Sequence, residues 1–316
     1  SLRQRAHIAA LVDTLMGETS FFRRCGQSFA HAALAADNTD AAHMPKDSLC
    51  GLSLFKSAPP FKRKATEDQP FAIISDAHMG WIMGNYRNIV ILTGAGISAE
   101  SGIQTFRASD GLWEEHRIED VATPEAFARN PDLVHRFYDA RREAVQSKAP
   151  NAAHLALAEL DAAWPGELLL VTQNVDDLHD RAGSKRLIHM HGELTSAWCT
   201  ACGDRHRWTG PLSDYPACTS CATPRSLRPD IVWFGEMPYQ MEAIDDALAR
   251  CDLFVSIGTS GNVYPAAGFV QEARRAGAKT LELNMEPSEG SYWFNEARHG
   301  PATQLVPQWV HQLLGY

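Results

Sequence analysis

The 316-residue sequence lacks any apolar run that approaches the length of a membrane span. It also lacks a positive excess. With 38 acidic and 29 basic residues its net charge is −9, which argues against a general nucleic-acid binder but leaves basic protein substrates attracted to an acidic surface. The 7 cysteines are too sparse for a secreted disulfide scaffold. Four of them, Cys199, Cys202, Cys218 and Cys221, fall within 23 residues, whereas Cys25, Cys50 and Cys251 are scattered. That clustering points to a metal in a reducing compartment. Hydrophobic residues at 45% and charged residues at 21% are ordinary for a globular protein.

Residues 1–82 lack a sustained apolar period, although "IAALVDTLM" (8–16) has the pattern of a short amphipathic helix. They are read as a largely disordered N-terminal extension. The basic "KRK" (62–64) reads better as a solvated linker than as a targeting signal, and the arginine-bearing first thirty residues only faintly resemble a transit peptide. Met79 and Met83 stand just before the first core strand and are compatible with an internal start. A cytoplasmic location is expected, mitochondrial only if the extension is a transit peptide.

From about residue 84 the pattern alternates strand, turn and helix. Strands are expected at 88–93, 167–172, 253–258 and 279–284, with another near 230–236. Helices are expected at 124–148, 151–163, 240–250 and 264–276. Such alternation implies an α/β fold with a doubly wound, Rossmann-like parallel sheet. Ligands in such sheets sit beyond the carboxyl ends of the strands. There the sequence turns polar or glycine-rich: "QNVDDLH" (173–179), "GTSGN" (258–262) and Asn284.

After the run "NIVILT" (88–93) comes "GAGISAESGIQTFR" (94–107), in which Gly94, Gly96 and Ala99 satisfy G-x-G-x-x-A. The spacing suits a dinucleotide: glycines let backbone approach a pyrophosphate and a helix start offers N–H groups. An acid closing the second strand, which a dehydrogenase uses for the ribose, is missing, since Glu114 to Asp120 follow no strand-like run. The cysteines have the spacing C-x₂-C-x₁₅-C-x₂-C, that of a tetrahedral Zn²⁺ site. Four thiolates leave no open position, so the metal is expected to be structural. Just before this module stands "IHMHGEL" (188–194), where His191 is a candidate general base. His189 and His191 are also possible metal ligands in type, but the cysteines already fill a tetrahedral shell.

Together these segments resemble the sirtuin family, the NAD-dependent protein-lysine deacylases. The likeness rests on 94–107, "TQNVDDLH" (172–179), "HMHGEL" (189–194), the four cysteines, "VWFGE" (232–236), "GTS" (258–260) and "LNMEPS" (283–288). It covers about residues 86–314. It is nearest to bacterial sirtuins and the desuccinylase and demalonylase branch, through "DGLWEEHRIEDVATPEAF" (110–127), "PNAAHLALAEL" (150–160) and "GPATQLVPQWV" (300–310).

The resemblance implies a catalytic domain over 83–316. Its Rossmann-like parts would be 84–107, 150–190 and 230–316, with a helical insertion at about 108–149 and a zinc module at about 194–228. It implies that NAD⁺ is consumed as co-substrate. The acyl oxygen of a modified lysine attacks C1′ of the nicotinamide ribose, His191 acts as base on a ribose hydroxyl, and lysine and O-acyl-ADP-ribose leave. Asn174 and Asp176 would order ribose and carboxamide, and Gln173 with Val175 would contact the ribose. Gly94, Ala95, Gly96 and Ser98 form the Gly-rich loop, and Phe106, Arg107 and Trp113 belong to the cover over the cofactor. Gly258, Thr259 and Ser260 would receive phosphate and ribose, and Asn284, Met285, Glu286 and Ala302 would face the adenosine. Val232, Phe234, Gly235, Glu236 and Val263 would flank an extended acyl-lysine peptide by strand addition. In "FYDARREAV" (137–145), Tyr138 and Arg141 share a helix face and would select carboxylate-ended acyl groups, with Arg142 an alternative by spacing. Mono-ADP-ribosyl transfer and a non-catalytic NAD sensor are the alternative functions, and neither nucleic acid nor membrane is expected as a partner.

Overall fold

Short runs of branched apolar residues form the central layer because both faces of each strand are covered. In a computed structural model, the described residues are 86–104 and 116–315 together with the backbone of 112–113, so the reading of 1–82 lies outside them. The first strand, β1 (Asn88–Thr93), is followed by a 3-10 helix, Ala95–Ser101. Two short strands, β2 (Leu112–Trp113) and β3 (His116–Arg117), pair antiparallel. Helices α1 (Ile118–Val121), α2 (Pro124–Arg129), α3 (Pro131–Gln146) and α4 (Ala152–Ala163) come next. Then follow β4 (Glu167–Thr172), α5 (Leu178–Ala182), β5 (Leu187–His189), β6 (Gly192–Cys199), β7 (Arg205–Arg207) and β8 (Leu227–Ile231). The chain ends with α6 (Met241–Arg250), β9 (Leu253–Ile257), α7 (Phe269–Arg275), β10 (Lys279–Asn284), β11 (Glu296–His299) and α8 (Ala302–Leu314).

Six strands make one parallel sheet in the order β11-β10-β9-β1-β4-β5, the doubly wound arrangement expected from the alternation. Side chains alternate across it. Ile89 and Ile91 join Leu157 and Leu160 of α4 and Trp309 of α8 on one face. Val90 and Leu92 join Ile244 of α6 and Phe269 of α7 on the other. Strand β8 is not part of this sheet. It pairs with β6 in a separate antiparallel sheet, β7-β6-β8, and ends at Ile231, so 232–236 is a loop rather than a strand.

The helix expected over 124–148 is two helices. Asn130 Oδ1 accepts the Leu133 N–H at 3.1 Å and Pro131 opens the new helix, so the chain restarts there. Proline cannot continue a helix from within but suits its first position. The helix expected over 264–276 is shorter, with a 3-10 turn at Ala266–Gly268 before α7. The start after Gly94 is likewise a 3-10 helix and not an α-helix.

Candidate functional site

The sheet changes direction at β1: the chain runs outward one way through β4 and β5 and the other way through β9, β10 and β11. A crevice must open beyond the carboxyl ends at that switch point. Thr93 is in register with both Thr172 and Ile257, so the loops after β1, β4 and β9 leave side by side. They line a cleft of about 1040 Å³.

The glycines of these loops serve each other. The Gly94 N–H donates to Ile257 O at 3.0 Å and the Gly96 N–H to Gly258 O at 2.7 Å. A Cβ on Gly96 would lie 2.7 Å from Gly258 Cα, and one on Gly258, whose φ is +62°, would lie 2.4 Å from Ile97 N. Both contacts are with backbone and cannot be relieved by a rotamer. The Gly94 and Gly96 amides thus bond the neighbouring loop, and glycine is needed at both positions because the two turns touch.

Most of the residues singled out in the sequence line this cleft. Gly94, Ala95 and Gly96 do so from the first turn, and Gln173, Asn174, Val175 and Asp176 from the loop after β4. Gly258, Thr259, Ser260 and Val263 follow β9, while Asn284, Met285, Glu286 and Ala302 close one end. Two side-chain bonds tie these loops together: Gln173 Nε2 donates to Thr259 Oγ1 at 3.0 Å and Asn284 Nδ2 to Thr259 O at 2.9 Å. Ser98 lies beneath the wall, fully buried, donating to Asp176 Oδ2 at 3.0 Å. Phe106, Arg107 and the side chain of Trp113 lie outside the described residues.

His191 enters the cleft between β5 and β6. Its Nδ1 lies 3.1 Å from Gln173 O. A carbonyl only accepts, so Nδ1 carries the proton and Nε2 keeps its lone pair. Burial pulls the imidazole below its usual 6.5, opposed by that same bond. Gly192, with φ +80°, lets β8 approach: a Cβ there would meet Asp230 O at 2.0 Å. The His191 carbonyl then accepts the Val232 N–H at 2.9 Å, which hangs the 232–236 loop beside the imidazole. Val232, Phe234, Gly235 and Glu236 line the cleft there. Glu236 braces the loop, taking both Arg228 guanidinium nitrogens at 2.7 and 3.0 Å and the Trp233 N–H at 2.8 Å.

Helix α3 turns one stripe to the cleft: Tyr138, Arg141, Val145 and, just past its end, Lys148. Tyr138 is fully buried, and its hydroxyl accepts the Trp233 indole N–H at 3.1 Å. Arg141 donates to Phe137 O at 2.8 Å and lies over the Phe137 ring at 3.4 Å. Arg142, which spacing left as a rival, is engaged elsewhere. It donates to Leu194 O at 2.6 Å and to Asp139 Oδ1 at 2.7 Å, and it is absent from the cleft lining.

Away from the cleft, the Sγ atoms of Cys199, Cys202, Cys218 and Cys221 all lie within 4.8 Å of one another. Cys199 and Cys221 are 3.8 Å apart, Cys202 and Cys218 3.7 Å. Tetrahedral Zn–S bonds of about 2.3 Å separate sulfurs by about 3.8 Å. A disulfide needs about 2.05 Å. The four thiols therefore fit one zinc ion, and the Ser220 N–H donates to Cys218 Sγ at 3.4 Å. The second group with metal-ligand types, Asp180, His189 and Glu193, is an ion-paired cluster, with His189 Nε2 at 2.9 Å from Asp180 and 3.4 Å from Glu193.

Sequence reasoning missed what lies under the cleft floor: the buried His154 and His179, whose rings are 4.8 Å apart. The available signal was N-x-x-H at 151–154, a capping-box spacing with an unusual last member.

The comparisons with known proteins agree with this geometry. The Sir2 family model matches residues 94–265. The NAD-dependent protein deacylase of Pasteurella multocida is 60% identical over 228 residues, 72% of this chain and 97% of that protein. A solved Sir2 homologue in complex with NAD is 36% identical with a TM-score of 0.69, covering 76% of this chain and 94% of the other. A Sir2 protein bound to acetylated peptide is 27% identical with a TM-score of 0.65, covering 77% and 99%. With a cleft at the switch point of the parallel sheet, a histidine lining it, a four-thiol cluster beside a separate antiparallel sheet, and identity spread over most of the chain, the protein belongs to the Sir2 family.

Proposed function

We propose that the protein is an NAD⁺-dependent protein-lysine deacylase that removes acetyl and acidic acyl groups, succinyl and malonyl, from lysine side chains. The observation that carries this is the 3.1 Å contact between His191 Nδ1 and the Gln173 carbonyl. With Nδ1–H held by the Gln173 carbonyl and the pKa lowered by burial, Nε2 stands in the cleft as a neutral base. NAD⁺ when bound supplies a ribose hydroxyl for that base and a nicotinamide bond that can be broken. The cleft suits it, because its floor is made of close-packed glycine turns and its walls offer amide and hydroxyl groups. Asn174, Gln173 and Asp176 orient the ribose side, and Asn284 with Thr259 the far end. Loop 232–236 and Val263 both line the cleft and would take an extended chain between them through backbone hydrogen bonds.

Arg141 and Tyr138 favour the acidic acyl reading. The Tyr138 hydroxyl accepts the Trp233 indole N–H, which ties the α3 stripe that faces the cleft to the 232–236 loop. Arg141 adds a cation on the same stripe. The four cysteines hold one structural Zn²⁺, which stabilises the β6–β8 module and takes no part in the chemistry. Incubating a mixed panel of acetyl-, succinyl- and malonyl-lysine peptides with NAD⁺ and reading products by mass spectrometry tests the proposal. Free lysine with O-acyl-ADP-ribose supports it. ADP-ribosylated protein without lysine release would indicate mono-ADP-ribosyl transfer, and no turnover of any peptide would reduce the chain to an NAD⁺ binder.

A further inference from the structure

A second cavity of about 270 Å³ adjoins the cleft, and Asn262, Tyr264 and Glu289 line both. Its walls come mainly from the loops after β9 and β10, two strands that pair in parallel and so release their loops side by side. The Glu289 N–H ties the loops together by donating to Ser260 O at 3.1 Å. Gly261, with φ +73°, permits their close approach: a Cβ there would stand 3.3 Å from Gly290 N. The second loop is anchored to Glu282 of β10. That buried carboxylate takes the Ser288 N–H at 3.3 Å and the Ser291 hydroxyl at 2.5 Å. The cavity wall is braced.

Three aromatic residues line it: Tyr264, Tyr292 and Trp293. Tyr264 is 74% exposed and Tyr292 76%, more than any other large apolar side chain among the described residues. Neither ring is spent on the core, where an aromatic side chain would contribute most. The Tyr292 and Trp293 rings lie 5.3 Å apart and are inclined by 40°, so they form a corner rather than a stack. Glu289 is the one charged residue in the lining. Among the described residues its carboxylate has no ion-pair or hydrogen-bond partner, and neither tyrosine hydroxyl has one. Arg274 does not neutralise it. That guanidinium donates to the Trp293 carbonyl at 2.6 Å, lies 6.0 Å from the indole centroid and is absent from the lining. Aromatic faces beside a free carboxylate attract a cation, because both present negative charge to it. An acidic group would be repelled by Glu289 and by a chain of net charge −9. An apolar side chain would strip water from an unpaired carboxylate.

We propose that this cavity is a second substrate subsite, which takes a lysine or arginine side chain of the acylated protein close in sequence to the acyl-lysine. The proposal rests on the deacylase reading above for the identity of the main substrate. Val263 is the residue assigned there to the peptide, and Tyr264, next to it, belongs to both cavities. A peptide lying along Val263 passes the mouth of the pocket, where the cation of a neighbouring residue meets the aromatic corner and Glu289. Backbone pairing gives a peptide groove affinity without choice of sequence, and a side-chain pocket beside it supplies the choice.

Fluorescein-labelled acetyl-lysine peptides test this, with binding read by anisotropy. One peptide has alanine at every flanking position, and the others carry a single lysine, arginine or glutamate at one position on either side. Lysine or arginine at a particular position is expected to tighten binding about three- to tenfold over alanine, as an exposed cation–π contact and a surface ion pair together contribute. Glutamate at that position is expected to weaken it. Tyr292→Ala and Glu289→Gln should each remove most of the gain while leaving binding of the all-alanine peptide unchanged. An equal gain at every position, or a gain that survives in both variants, would reveal only the long-range field of an acidic surface and overturn the subsite. No gain at any position would overturn it as well. Turnover of the same peptides with NAD⁺ reads the proposed function separately. Peptides that bind with the positional preference for a cation but are not deacylated would leave the subsite standing and sink the deacylase reading.

Discussion

Replacing Arg141 with methionine tests acyl selection most directly. Methionine keeps an unbranched stem over the Phe137 ring, where the guanidinium now lies at 3.4 Å, so packing is nearly preserved while the charge and donors vanish. A hydrogen bond to a charged group contributes about 1.5–3 kcal/mol, so kcat/KM for a succinyl-lysine peptide should fall roughly ten- to a hundredfold. An acetyl group has no terminal carboxylate to lose a partner, and its kcat/KM should change by less than about threefold. Arg142→Met supplies the contrast. Arg142 is buried and bonded to Asp139, Leu194 O and Gly210 O, so its removal takes the ion-pair partner from a carboxylate that otherwise accepts from Leu212 and Ser213. Breaking a buried pair costs about 3 kcal/mol or more, so Arg142→Met should lower the melting temperature and leave the succinyl-to-acetyl ratio unchanged. Parallel steady-state kinetics on both peptides, with a thermal melt for each variant, make the comparison. Equal losses for both peptides in Arg141→Met, accompanied by a lower melting temperature, would refute the reasoning and make Arg141 a structural residue.

Because burial lowers the His191 pKa and the base works only when neutral, the acid limb of kcat/KM should lie below pH 6.5, with activity falling as pH drops through it; a limb at or above 6.5 speaks against the assignment. His191→Ala should abolish deacylation with the fold intact by circular dichroism, and near-normal turnover would remove His191 from the mechanism. Chelation of zinc should lower stability and activity together, because four-thiolate zinc contributes folding energy; metal analysis that finds no zinc in folded, active protein would sink the structural site. Gly96→Ala should abolish NAD⁺ binding, since its Cβ would stand 2.7 Å from the Gly258 backbone; retained affinity would mean that the two loops separate at little cost.

What was legible in the sequence is what local pattern encodes. The strands β1, β4, β9 and β10 stand where continuous apolar runs end in polar turns, because a doubly covered strand must be apolar throughout. The four cysteines were legible for the same reason: two C-x₂-C turns each aim two sulfurs locally, and only the meeting of the pairs is left to the fold. The break at Asn130–Pro131 was also local, and an apolar period running through both helices concealed it. The glycine turn shows the boundary. Its spacing marks a close backbone approach, but that the Gly258 turn beyond β9 is one of the surfaces approached follows only from the fold.

The decisive site contacts join residues far apart in the chain: Ser98 to Asp176 across 78 positions, Tyr138 to Trp233 across 95. Spacing could place Arg141 and Arg142 on one helix but not say which faced the cleft, because the answer lies with Asp139, Leu194 and Gly210, which claim Arg142. His154 is the extreme case. In the sequence it reads as a helix-start residue, and it is one. Its Nδ1 meets the Asn151 N–H in the helix cap, while its Nε2 lies 3.4 Å from Ser98 Oγ, 56 positions away, a contact that no local pattern encodes.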